Sequence, residues 1–215
     1  EQIIEAAKPE FIKKIADPIN LMKGNELPVS SIIENGMVDG SFQHGTAHYE
    51  KRGIADEVPE WQPDMCIQCN QCAYVCPHAV IRPFLLDEEE MKKAPEGMPT
   101  IKALGRGMDG LEYKIQVSPL DCTGCSACVD VCPAPRGKAI VMKSTQSQIE
   151  RNEIEYTDYL FNNVSYKDKI LGKNTVKGSQ FAKPLFEFSG ACAGCGETPY
   201  IKLVTQLFGE RMIVA

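Results

Sequence analysis

Ten cysteines stand in this 215-residue chain, and eight of them fall into two runs of one spacing. The first is Cys66-x-x-Cys69-x-x-Cys72-x-x-x-Cys76-Pro77, the second Cys122-x-x-Cys125-x-x-Cys128-x-x-x-Cys132-Pro133. Thiolates at this spacing suit an iron–sulfur cubane. Three on one tight loop cap three irons, and the fourth, a helical turn later, points away to serve a second cluster. The expected sets are Cys66, Cys69, Cys72 and Cys132 for one [4Fe–4S] cluster (A), and Cys122, Cys125, Cys128 and Cys76 for the other (B). The proline after each run ends the local helix and releases the chain as an extended segment. Zinc is the competing reading, but zinc sites use separated C-x-x-C pairs, not four cysteines in eleven residues closed by proline. A secreted disulfide scaffold would be shorter and would scatter its cysteines. The repeat points to metal ligation in a reducing compartment.

The remaining pair is Cys192-Ala193-Gly194-Cys195-Gly196-Glu197. Its residues leave three readings open: a redox dithiol, half a zinc site, or half the ligands of a third cluster. Gly190, Gly194 and Gly196 would let the backbone approach a ligand closely.

The elements that must position these groups follow from periodicity. Ile3, Ile4, Ala7, Phe11, Ile12 and Ile15 recur at helical spacing, and Pro9 and Pro18 are expected to break that stretch into short helices that stop at Asn35-Gly36. Residues 1–60 thus read as a linker of short helices and a crossing segment. Residues 61–145 read as two copies of one loop–helix–strand pattern, with strands at Ala79-Val80-Ile81, at Tyr113 to Val117 and at Ala139 to Met142, and a charged insertion over 87–110. Residues 146–184 read as a connector. From 185 a strand (Leu185 to Phe188), the glycine-rich Cys192 loop, a helix capped by Thr198 with Pro199 at its first position, and a buried strand from Arg211 spell the opening of an α/β domain over 185–215. The chain begins at Glu1 and stops in the apolar Met212-Ile213-Val214-Ala215, so both ends are expected to be cut from something longer.

Hydrophobic content is 43% and charged content 24%, ordinary for a globular protein. No stretch approaches the roughly 20 apolar residues that span a bilayer. The net charge of -6 and the lack of a basic cluster argue against nucleic acid.

Several segments together resemble the pyruvate:ferredoxin oxidoreductases. They are Gly45-Thr46-Ala47-His48-Tyr49-Glu50-Lys51-Arg52-Gly53-Ile54-Ala55, Val58-Pro59-Glu60-Trp61, the Cys66–Cys72 loop, Cys76-Pro77-His78-Ala79-Val80-Ile81-Arg82-Pro83, and Phe188-Ser189-Gly190-Ala191-Cys192-Ala193-Gly194-Cys195-Gly196-Glu197-Thr198-Pro199-Tyr200. The resemblance implies an α+β arrangement: a two-[4Fe–4S] ferredoxin-like domain flanked by a helical linker and the start of an α/β thiamine diphosphate-binding domain. It implies oxidative decarboxylation of pyruvate with coenzyme A, reduction of ferredoxin or flavodoxin, a cytoplasmic homodimer, and no membrane or nucleic-acid partner. Cys192 and Cys195 match two of four ligands of a third, proximal [4Fe–4S] cluster, and Glu197 matches a thiamine-contacting glutamate. The motif for Mg2+ and diphosphate lies downstream in the family, so this stretch makes no complete active site by itself. The ferredoxin unit runs directly into the Cys192 loop, which resembles the single-chain pyruvate type rather than relatives with a separate ferredoxin subunit. The alternatives are a related 2-oxoacid:ferredoxin oxidoreductase and an electron carrier without substrate chemistry.

Blander roles suit the other candidates. His44 and His48 read as structural, Trp61 as packing at the module boundary, Glu88-Glu89-Glu90 as a solvated face, and Asp109-Gly110 as a turn. For His78, packing and a hydrogen bond near a cluster stand level.

Overall fold

The computed structural model describes residues 8–213, so Ile3, Ile4, Ala7, Val214 and Ala215 lie outside the described residues. The chain divides into two compact units, Glu1–Lys51 and Arg52–Ala215. In the first, Pro18 does not break the helix as expected. A π-helical turn over Ile12–Ala16, closed by the Asp17 N–H on the Ile12 carbonyl, runs straight into an α-helix over Asp17–Asn20. The wider turn makes room for a ring that lacks an N–H and would clash with the carbonyl four residues back. Phe11, Ile12, Ile15 and Ala16 are buried there, with Leu27, Met37 and Tyr49 packed against them. The helix Val29–Glu34 stops at Asn35, followed by Gly36 at φ +68°, a left-handed exit that glycine takes without strain.

The second unit is built on two strand pairs. β1 (Glu57–Trp61) lies antiparallel to β5 (Ile140–Ser144), while β2 (Ile81–Leu86) lies antiparallel to β4 (Glu112–Val117), with the short β3 (Ile101–Lys102) on the other side of β4. The pairing is crossed: the strand before each cysteine run pairs with the strand after the other run. Both pairs extend by one matching bond, Gln62 N–H to Ala139 O at 2.8 Å and Ser118 N–H to Val80 O at 2.9 Å.

Some expected elements differ. β1 lies in what reads as a crossing segment, where Gly, polar and aromatic residues follow no clear period; as half of a two-stranded sheet, β1 has a free side for the Pro59 ring. The strand expected at Ala79 begins at Ile81, since Ala79 sits at φ +55°. Among the described residues no strand forms at Leu185 to Phe188: Phe188 takes φ +49°, and its N–H bonds the His78 carbonyl at 2.9 Å. The helix Thr198–Phe208 forms, but Glu197 is its N-cap and Thr198 its first residue. In place of the strand expected from Arg211, Gly209–Arg211 is a 3-10 turn and Ile213 is 94% exposed.

Glu90 also departs from the solvated reading. It closes a capping box with Asp87 on the helix Glu88–Lys92, then accepts from Lys167 Nζ (2.5 Å) and from Ser165 N–H and Oγ (2.9 and 2.8 Å). Burial works against its charge, but these donors, Lys167 first, hold it down at about 2. A depressed carboxylate stabilises the fold fully above its ordinary 4.5 and loses that contribution as pH falls toward 2. Glu90→Gln should therefore cost about 1–3 kcal/mol in denaturant unfolding at pH 7. The gap between variant and parent should narrow at pH 3; an equal gap at both would contradict the assignment.

Candidate metal centres

Each run folds into the same loop. Gln68 (φ +57°) and Asn70 (φ +61°) in the first correspond to Gly124 (φ +70°) and Ser126 (φ +59°) in the second. These left-handed residues curl the backbone so that amides face the sulfurs: Gln68 N–H to Cys66 Sγ and Gly124 N–H to Cys122 Sγ are both 3.4 Å. Short helices follow, Gln71–Val75 carrying Cys72 and Ala127–Asp130 carrying Cys128. The crossed strands then move the last cysteine of each run. Cys132 precedes β5, which lies beside β1 and so beside Cys66. Cys76 precedes β2, which lies beside β4 and so beside Cys122.

Two cavities result. Cys66, Cys69, Cys72 and Cys132 line one, with Trp61, Tyr113 and Ile140. Cys76, Cys122, Cys125 and Cys128 line the other, with Val80 and Ile81. Among the described residues no three His, Cys, Asp or Glu side chains converge tightly enough to hold a single metal ion. The four thiols surround a space instead of meeting at a point, and a cubane fits such a donor set. Buried Trp61 Nε1 has no hydrogen-bond partner, yet lies near enough to Cys66 to favour its thiolate. It is an orphan donor beside a place where sulfur acceptors would stand.

Without iron the pockets favour neutral thiols. Burial pushes Cys66 up, Cys72 well up, Cys122 to about 12, and Cys128 up as well. Ligation needs thiolates, so loading a metal here releases protons and its binding energy becomes folding energy.

Gln68 and Asn70 do more than turn the first loop. Gln68 bonds Lys102 O (2.7 Å) and Leu104 N–H (2.8 Å); Asn70 bonds Lys177 O (2.9 Å) and the Tyr113 hydroxyl (2.6 Å). The insertion and the connector are thereby fastened over this loop. At the second loop the Cys192 segment approaches instead: a Cβ placed on Gly194 would stand 3.6 Å from Cys125 Cβ.

His78 anchors that approach. Only 2% exposed, it faces the Cys192 carbonyl with Nε2 and the Ser189 hydroxyl with Nδ1, each at 3.3 Å. Burial lowers its pKa, so the ring is neutral. A carbonyl only accepts, so Nε2 carries the proton and Nδ1 accepts from Ser189. Arg52 Nη1 donates to the Ser189 carbonyl at 3.3 Å. Arg82, stacked 4.2 Å from the centre of the Phe161 ring, pairs with Glu187 just upstream.

Within the loop, Cys195 N–H bonds Cys192 O at 3.1 Å. The amides of Thr198 and Glu197, at the start of the Thr198–Phe208 helix, hold the Cys195 thiol below its usual value. Cys192 and Glu197 are exposed. From the same helix Lys202 reaches back, 1% exposed, and its ammonium donates to the carbonyls of Ala73, Tyr74 (3.0 Å) and Cys76 (3.2 Å). Burial lowers it to about 8, against the pull of Cys76. Sequence reasoning passed over Lys202, although a lone charge in the apolar run Ile201-Lys202-Leu203-Val204 was a visible signal.

A family profile described as a 4Fe-4S dicluster domain matches residues 65–136, and the EKR profile, a domain of unknown function, matches residues 1–55. The pyruvate:ferredoxin oxidoreductase of Moorella thermoacetica is 55% identical over 209 residues, 97% of this chain and 17% of the relative. The pyruvate-flavodoxin oxidoreductase of Klebsiella pneumoniae is 54% identical over 98% of this chain and 17% of its own length. The chain is a homologue of the pyruvate:ferredoxin (flavodoxin) oxidoreductases. It spans about a sixth of the length of these curated relatives. A pyruvate dehydrogenase [NADP(+)] of Cryptosporidium parvum is also 52% identical over 96% of the chain and 10% of the relative. An α+β fold thus carries the stretch that the dicluster profile matches, and among the described residues no helix is long and apolar enough to cross a membrane.

Gly124 is where the second loop tolerates least. It needs a positive φ, and a Cβ there would meet the Glu57 carbonyl oxygen at 3.2 Å and Ala55 Cβ at 3.3 Å. Gly124→Ala should cost about 1–3 kcal/mol in anaerobic denaturant unfolding. Iron should be lost from the second cavity first; an unchanged midpoint and full iron would refute this account of the loop.

Proposed function

We propose that this stretch holds and spaces three [4Fe–4S] clusters in an enzyme that oxidatively decarboxylates pyruvate with coenzyme A and reduces ferredoxin or flavodoxin. The observation that carries the proposal is the seating of the Cys192 loop against the Cys125 cavity, fixed by His78 and by the bare Gly194. A carrier module without substrate chemistry has no need of such a contact. Cys66, Cys69, Cys72 and Cys132 are the ligands of cluster A, and Cys122, Cys125, Cys128 and Cys76 those of cluster B. Cys192 and Cys195 are two of four ligands of the proximal cluster, and the helix amides that favour the Cys195 thiolate suit that task.

When bound, the clusters supply one-electron transfer, and thiamine diphosphate with Mg2+ supplies the decarboxylation chemistry. This chain's own residues keep distances fixed. The neutral His78 holds the Cys192 carbonyl, Arg52 holds Ser189, and Arg82 holds Glu187, so three contacts set how near the loop stands to the second cavity. Glu197, at the head of the Thr198–Phe208 helix, is the residue proposed to touch thiamine diphosphate. Residues 185–215 are proposed as the opening of the thiamine domain and residues 61–145 as the cluster domain, joined by the 146–184 connector and preceded by the 1–60 linker. The whole enzyme is proposed to be a cytoplasmic homodimer, where reducing conditions keep the thiols available.

Pyruvate as substrate is supported by the names of the relatives described above, each of which includes pyruvate; the acceptor is less constrained, since two relatives are named for NADP(+). The deciding experiment is anaerobic reduction of a viologen dye by the whole, cluster-loaded enzyme that contains this stretch, with pyruvate and coenzyme A each supplied or withheld. Reduction that needs both is expected. Reduction with a different 2-oxoacid alone would move the substrate, and none with any 2-oxoacid, clusters being intact, would leave the carrier reading.

The ligand sets have their own test. Cys132→Ser should remove cluster A and spare cluster B, seen as the loss of one reduced-state electron paramagnetic resonance signal. Loss of cluster B with A intact would mean that each run serves its own cluster.

A further inference from the structure

Lys202 is a buried cation bonded to the short helix that carries a cysteine of each cavity. Its ammonium bonds the carbonyls of Ala73, Tyr74 and Cys76, which form the last turn and cap of the Gln71–Val75 helix. That end of a helix carries partial negative charge and suits a cation. Cys72, within this helix, lines the first cavity, and Cys76, at its cap, lines the second. No carboxylate pairs with Lys202 among the described residues; the groups that favour its charge are the sulfurs of Cys76 and Cys72, which become anionic only as metal ligands, with Arg82 opposing. A neutral donor would satisfy the same carbonyls without the cost of burying a charge. The charge itself therefore calls for a role beyond capping.

We propose that Lys202 is a positioning residue whose fixed positive charge raises the reduction potential of both clusters held by the two cysteine runs. The inference rests on the reading of those runs as cluster ligands. A cubane with four thiolates is anionic and gains one further negative charge when reduced. A cation in a dry, low-dielectric surrounding then favours the reduced form over the oxidised one. Because Lys202 reaches both Cys72 and Cys76 through one helix turn, it acts on both clusters together and keeps their potentials in step. Its place on the Thr198–Phe208 helix, directly after the Cys192 loop, ties that tuning to correct docking of the loop.

The test is a potentiometric titration of the anaerobically isolated, cluster-loaded protein, followed by electron paramagnetic resonance, with iron counted on each sample. Lys202→Gln keeps two N–H donors and removes the charge; Lys202→Arg keeps the charge. In K202Q, with iron retained, the reduced-to-oxidised ratio of both clusters at the parent midpoint should fall about tenfold, which is 59 mV for a one-electron couple. K202R should stay near the parent. Full iron with unchanged midpoints in K202Q would overturn the proposal, as would an equal shift in K202R. Should K202Q fail to load, Lys202→Met is read in its place; two empty neutral variants beside a loaded K202R would overturn it in favour of a purely structural cap. Absence of both cluster signals from the parent itself would instead overturn the reading on which the proposal rests.

Discussion

The crossed pairing of β1 with β5 and of β2 with β4 is the constraint from which the rest of this chain follows. Each cysteine run sits between strands of different pairs, so closing both ladders delivers the last cysteine of one run to the loop of the other. The exchange makes the two halves inseparable: neither cavity is complete until both pairs have formed. Sulfurs with raised pKa values reinforce that dependence, since metal binding has to overcome burial and does so only in an assembled pocket. Loading a metal in the 57–144 core is thereby coupled to its folding.

Much of this was legible beforehand. The C-x-x-C-x-x-C-x-x-x-C-P repeat pointed to the loops and the helical turns that follow, and the cavity linings bring Cys132 to the first loop and Cys76 to the second. Strand β4 was equally plain from the alternation of Tyr113, Ile115 and Val117. Pro18 misled, suggesting a break that a π-helical turn absorbs, while β1 stayed hidden because its segment shows no clear alternation. Leu185 to Phe188 reads as a strand by composition, yet Phe188 takes a left-handed turn in order to reach the His78 carbonyl. That choice depends on a residue more than a hundred positions away, which no local pattern contains.

What the sequence concealed most thoroughly is the polar wiring. Gln68 and Asn70 look like spacers between cysteines, but each has both ends of its amide engaged, Gln68 by the insertion and Asn70 by the connector and Tyr113 of β4. Glu90 looks like one of three solvated carboxylates, and its neighbours Glu88 and Glu89 keep that character; only the capping box turns it toward Lys167 and Ser165. A side chain's type gives its capacity to bond, and the fold decides whether that capacity is used inside or spent on water.

Three buried cations carry this logic furthest, because each is expensive and each is answered differently. Arg82 meets a carboxylate, a tyrosine hydroxyl and two aromatic faces, so its charge is neutralised where it stands. Lys114 lies over the rings of Trp61 and Tyr156, a weaker answer that leaves it lowered to about 8 by burial. Lys202 has carbonyls alone, beside sulfurs that are neutral until metal arrives. Of the three it is the one whose electrostatic balance is incomplete in the bare protein and becomes favourable once anionic clusters stand in the two cavities. A charge buried at a loss in one state and a gain in another belongs to the second state. On the ligand sets proposed above, the polypeptide around Cys72 and Cys76 therefore suits the loaded form better than the empty one.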